Sequence, residues 1–189
     1  MRNFPFFKQI LLAVILSSAI SFSAKAQYSL GVTANYGIAT DDLAKAANNA
    51  FGGTLQLRYH YDDYIKMGID VGYISFGNKN TDSKVSPLID GNKLNIIPVT
   101  AVFEVHFNNK KLHPFMALDL GWAHANLNLI TNSKNFGIVA PQFGLDYAVS
   151  DQFFLRASAK DNILVYNRLN SGSDLMSYVG INIGGYYKF

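Results

Sequence analysis

The sequence predicts an all-β fold: an eight-stranded antiparallel up-and-down transmembrane β-barrel with an N-terminal signal peptide. Three observations predict it. Apolar and polar residues alternate with a period of two in eight successive segments. No stretch after the leader approaches the roughly 18 apolar residues that a membrane-spanning helix requires. The connections alternate in length, tight after even-numbered segments and long after odd ones, which is the rhythm of hairpins standing in a membrane.

The leader comes first. "MRNFPFFKQILLAVILSSAISFSAKAQ" joins basic Arg2 and Lys8 to an apolar run from Ile10 to Ile20, and places the small residues Ala24 and Ala26 before Gln27. That pattern is a secretory signal peptide cleaved after Ala26, so residues 1–26 are assigned to it and 27–189 to one barrel domain. Cleavage changes the charge argument. Arg2, Lys8 and Lys25 leave with the leader, which brings the 16 basic residues down to parity with the 13 acidic ones. A neutral mature chain gives no ground for a nucleic-acid partner, and none is expected. With no cysteine, an exported chain must hold itself by burial and hydrogen bonds.

The segments follow in order. "YSLGVTANYG" sets Tyr28, Leu30, Val32, Ala34 and Tyr36 on one face; "FGGTLQLRYHY" sets Phe51, Leu55, Leu57, Tyr59 and Tyr61 against Thr54, Gln56, Arg58 and His60. "IKMGIDVGY" gives Ile65, Met67, Ile69, Val71 and Tyr73 against Lys66 and Asp70. "NIIPVTAVFEVHF" gives Ile97, Val99, Ala101, Phe103, Val105 and Phe107 against Thr100, Glu104 and His106, with Pro98 weakening the ladder locally. "HPFMALDLGW" sets Met116, Leu118, Leu120 and Trp122 against Asp119; "GIVAPQFGLDYAV" sets Val139, Phe143, Leu145, Tyr147 and Val149 against Gln142 and Asp146. "FFLRASAKDNILV" sets Phe153, Leu155, Ala157 and Ala159 against Arg156, Ser158 and Lys160, and "GINIGGYYKF" closes with Ile181, Ile183, Tyr187 and Phe189 on the apolar side. The tight turns fall at "DDY", "NNKK" and "SDQ". The long connections are "IATDDLAKAANNA", "GNKNTDSKVSPLIDGNK", "ANLNLITNSKN" and "NRLNSGSDL", the first with a short helical turn.

Which face points inward decides the environment. An eight-stranded barrel has an interior just wide enough for side chains. The polar register, rich in Gly, Ser, Thr and Asn with a few large ions, fits that space. The other register is aliphatic in the middle and aromatic at both ends. Tyr59, Tyr61, Phe107, Tyr147, Phe153, Tyr187 and Phe189 gather beside the short turns, and Tyr36, Phe51, Tyr73 and Trp122 gather towards the long loops. Two aromatic girdles around an aliphatic band predict a lipid-facing wall. In lipid no open edge survives, so the first and last strands are expected to pair.

The inward charges are then Arg58, Lys66, Arg156 and Lys160 against Asp70, Glu104, Asp119 and Asp146, with Lys188 at the end of the last strand. If "SDQ" joins Val149 to Phe153, Asp146 falls opposite Arg156 and Gln142 opposite Lys160. If "NNKK" joins Phe107 to Leu112, His106 faces His113 and Thr100 faces Asp119. Near balance of sign predicts mutual neutralisation in a plugged interior, whereas a selective channel would show one dominant sign.

The leader, the alternating segments, the loop rhythm and the terminal aromatic of "GYYKF" resemble the OmpA/OmpX-like small outer-membrane barrels, the outer membrane protein beta-barrel domain, over essentially the whole mature chain. The resemblance implies the bacterial outer membrane, contact with its lipids, and delivery through the outer-membrane insertion machinery by way of the C-terminal strand. The expected function is a non-enzymatic, monomeric structural or surface-binding barrel whose long loops present a binding surface for a ligand the sequence does not name. One alternative is a lipid-modifying enzyme using His124, the one histidine at the long-loop end, although no serine and carboxylate can be assigned to it. Others are a narrow solute channel and a soluble periplasmic carrier. His106, His113 and His60 gather too few ligands for a metal, and no cofactor is expected.

Overall fold

The computed structural model describes residues 27–40, 43–44, 47–78, 94–107, 111–127, 134–168 and 172–189. The leader and the greater part of "GNKNTDSKVSPLIDGNK" lie outside the described residues. Each alternating segment forms a strand: β1 (Tyr28–Thr40), β2 (Ala47–His60), β3 (Ile65–Asn78), β4 (Leu94–His106), β5 (Leu112–Leu127), β6 (Lys134–Ala148), β7 (Phe153–Arg168) and β8 (Gly172–Lys188). They follow chain order around a closed antiparallel barrel. β1 and β8 close it, paired from Ser29↔Lys188 to Thr40↔Ser177, so no ladder edge is left open. Gly184 permits close approach at that seam, since a Cβ there would stand 2.0 Å from the Val32 carbonyl oxygen.

The tight turns have local causes. Asp62 accepts the N–H groups of Tyr64 (2.7 Å) and Ile65 (2.6 Å) through Oδ1, which folds the β2–β3 turn. Ser150 Oγ accepts the Phe153 N–H at 3.0 Å, and Val149 donates to the Phe153 carbonyl at 3.0 Å. That turn sets Asp146 opposite Arg156 and Gln142 opposite Lys160. The β4–β5 hairpin differs from the sequence reading by two residues. Phe107 bonds to Pro114 (2.9 Å), not to Leu112, so His106 faces Phe115, Asp119 faces Val102 and Thr100 faces Gly121. The reason is that β5 begins early against its other neighbour: Leu112 and His113 already pair with Tyr147 and Asp146 of β6. A two-residue offset leaves every side chain on its expected face.

The strands also run further at the end away from the tight turns than the alternation suggests. Ile38–Thr40, Ala47–Ala50, Gly77–Asn78, Ala125–Leu127 and Gly172–Leu175 belong to the sheet, which shortens all four connections there. A bulge between Ala47 and Ala50 accommodates the entry into β2.

Orientation of the faces is unambiguous. Ile183 is 65% exposed, Leu55 60% and Val32 59%, whereas Glu104, Asp119 and Asp146 on the opposite register are 0% exposed. A water-soluble protein of this size would invert that assignment. The aliphatic wall therefore faces hydrocarbon and the ions are enclosed.

Candidate functional site: the barrel interior

Three layers fill the lumen. At the tight-turn end an open mouth of about 510 Å³ is lined by His60, Lys66, Lys111, His113, Phe154 and Lys188, with aspartates of the turns at its rim. His60 Nε2 lies 2.9 Å from Ser29 Oγ. Phe154 stacks on Tyr186 with ring centroids 4.8 Å apart and forms the base of this mouth.

Above it lies the ion network. Glu104 is its hub. Arg58 Nε donates to Oε1 at 2.6 Å, while Arg156 donates through Nη1 to Oε1 (2.7 Å) and through Nη2 to Oε2 (2.9 Å). Arg156 reaches Asp146 on the neighbouring strand through Nε (2.8 Å) and Nη2 (2.9 Å), so one guanidinium serves two carboxylates. Arg58 continues to Asp70 at 2.5 Å. Lys66 Nζ donates to Tyr186 OH at 3.0 Å and stands 3.6 Å from Asp146; Tyr186 OH donates to Asp146 at 2.8 Å. Higher up, Lys160 Nζ bonds Asp119 at 2.5 Å and lies 4.0 Å from Asp70. Four cations thus meet four carboxylates drawn from β2, β3, β4, β5, β6 and β7. Lys188, at the mouth, has no ion pair shorter than 4 Å among the described residues.

Two aromatic members of this layer are not among the predicted interior residues. Phe115 lies beneath the Arg156 guanidinium at 4.3 Å and stacks on His106, whose Nε2 is 3.1 Å from Glu104. Gly144 makes room for that ring: a Cβ there would meet Phe115 at 2.5 Å. Tyr186 is the other. The signal in the sequence is their parity, since both lie in the inward register at the level of Arg156.

The top layer corrects the expectation that the inward register is polar along its whole length. At the end away from the tight turns the inward register is apolar: Ile74, Phe76, Ile96, Ile138, Leu164 and Tyr178 pack together, with Leu43 from the β1–β2 connection buried among them. Phe76 meets Tyr178 edge-on at 5.2 Å.

On the outer surface, Tyr59, Tyr61, Phe107, Tyr147, Phe153, Tyr187 and Phe189 ring the tight-turn end, and Tyr187 OH donates to Gln152 at 2.8 Å. Tyr36, Phe51, Tyr73 and Trp122 ring the other, with Tyr73 OH donating to Asn95 at 3.1 Å. Tyrosine hydroxyls that reach for polar partners while their rings face outward are placed as at a membrane interface. His124 stands on this outer surface beyond Trp122, 2.9 Å from the Asn135 side-chain oxygen. No cluster of three or more metal-ligating side chains forms among the described residues.

The fold recurs in solved structures. Neisserial surface protein A superposes with a TM-score of 0.64 at 16% identity, over 86% of this chain and 97% of that one. OprG of Pseudomonas aeruginosa gives 0.57 at 15% identity, over 87% and 97%. Ail, the attachment invasion locus protein of Yersinia pestis, gives 0.55 at 20% identity, over 88% and 100%. No curated protein matches. Residues 10–189 match the family described as "Outer membrane protein beta-barrel domain". The chain belongs to that family, and its place is the bacterial outer membrane.

Proposed function

We propose that the chain is a closed, non-enzymatic scaffold that presents its outer rim and the 79–93 connection to a component of the cell surface or its surroundings. The filled lumen carries this reading. A balanced ion network occupies one half and a buried apolar layer the other, which suits a rigid plug better than a conduit. A rigid barrel holding exposed polar connections is a common arrangement for binding. The names of two similar structures, a surface protein and an attachment protein, accord with it. His124 has an amide partner in place of a carboxylate, so nothing in its geometry favours the lipid-modifying alternative. The leader is proposed to be cleaved after Ala26, and β8, with Phe189 directly after it, to be the element the insertion machinery engages.

The experiment uses the protein taken from outer membranes. Its mature N-terminus should be Gln27, protease on intact cells should cut within 77–93, and planar bilayers should show no discrete conductance steps. Discrete steps abolished by Arg156→Ala would replace the scaffold with a channel. A processing site elsewhere would remove the leader assignment.

A further inference from the structure

Between the two aromatic levels, every described outward-facing position but one carries an apolar side chain, glycine or proline. The exception is Asp161 of β7, exposed on the lipid-facing wall between Lys160 and Asn162, which both point inward. Its ladder neighbour on β8 is Val179 and, beyond that, Ile38 on β1, the outward position just above Tyr36. The tilt of the strands brings Asp161 down to the level of the Tyr36 ring. It stands where hydrocarbon gives way to headgroups.

A second, independent observation concerns its backbone. Val149 and Phe153 share a hydrogen bond at the turn, so alternate pairs up this hairpin are hydrogen-bonded, and Pro141 opposite Asp161 is one of them. Proline has no N–H to give. The pairing is accordingly interrupted between Val139↔Ile163 and Gln142↔Lys160. The Asp161 carbonyl therefore lacks its ladder donor at the residue whose carboxylate reaches into the interface.

We propose that Asp161 is a divalent-cation contact, its carboxylate and free carbonyl sharing a Ca²⁺ or Mg²⁺ ion with the phosphate of an outer-leaflet lipid. Hard cations take oxygen ligands of these two kinds. An intramembrane carboxylate calls for a named partner, and among the described side chains of the lipid-facing wall none is a lysine or arginine that could supply it, in this copy or a second one. What borders the site is a phosphate-bearing headgroup, and two anions meet there only through a cation. The low cost of a carboxylate near the interface lets the site persist between ligands.

The test compares wild type with Asp161→Asn, which keeps the shape and removes the charge. Each is refolded into vesicles of phosphatidylcholine alone, with lipid A added, or with phosphatidylglycerol added, and unfolded by urea in Ca²⁺ or in EDTA. The wild-type midpoint should rise with Ca²⁺ in an anionic-lipid arm and not in phosphatidylcholine alone, and Asp161→Asn should lose that rise. A rise confined to lipid A identifies a glycolipid phosphate, and one in both anionic arms identifies the phosphate of any lipid with net negative charge. An equal rise in the variant, or none in the wild type, overturns the site. So does a protein adduct from a photo-crosslinker placed at position 161 in cells.

Discussion

Glu104 shows how much one buried side chain carries. It is fully enclosed and accepts from both Arg58 and Arg156, so neutralising it leaves each guanidinium with one carboxylate, Asp70 or Asp146, and the enclosed network with one uncompensated positive charge. Breaking a buried pair in this way costs about 3 to 5 kcal/mol. Glu104→Gln is expected to lower the stability of the refolded barrel by about that amount in urea unfolding from vesicles, while Gln56→Ala, which faces Asp70 across the β2–β3 ladder but removes no charge, changes it far less. Retention of wild-type stability by Glu104→Gln would show that the network contributes little. The Asp146 to Arg156 pairing is legible in the sequence because the "SDQ" turn fixes a register locally. The hub is not, because Arg58, Glu104 and Arg156 converge across the lumen from strands distant in sequence. Asp161 follows the same alternation that places Arg156 and Lys160, yet its significance depends on knowing that the outward face meets lipid.

The strands themselves are legible for a simple reason. Each face meets one environment along most of its length, so period two is preserved in composition. Where both faces are apolar the signal fades, and this is the case at the ends of β3, β4, β6 and β7 that supply Phe76, Ile96, Ile138 and Leu164 to the apolar layer. The "GYISFG" stretch, with Tyr73 outward and Ile74 and Phe76 inward, still alternates in direction but no longer in polarity. The ends are hidden for another reason at Ala47–Ala50, where a bulge sets the polar Asn48 and Asn49 side by side on the exposed surface and breaks the period of two, so the segment reads as loop. The apolar layer makes a distinct prediction. Phe76→Ala should cost about 3 to 5 kcal/mol in the same unfolding assay, as for a fully packed aromatic. A loss below about 1 kcal/mol would mean that the layer is loosely filled.

For the whole molecule, closure and environment are one problem. Lipid gives unpaired backbone groups no partner, so a strand set of this length is stable there only as a ring, and the β1–β8 ladder completes it. An apolar exterior and a charged interior then follow from the same alternation, and the aromatic levels mark where the wall leaves hydrocarbon. Absence of cysteine makes this arrangement directly measurable. Single cysteines introduced along β2 at Leu55, Gln56, Leu57 and Arg58, spin-labelled in refolded vesicles, report exposure to oxygen dissolved in lipid. High oxygen accessibility at 55 and 57 with low accessibility at 56 and 58 is the expected result. The reverse pattern, or water-borne quencher reaching 56 and 58 while oxygen fails to distinguish 55 and 57, would contradict an outward-facing apolar wall.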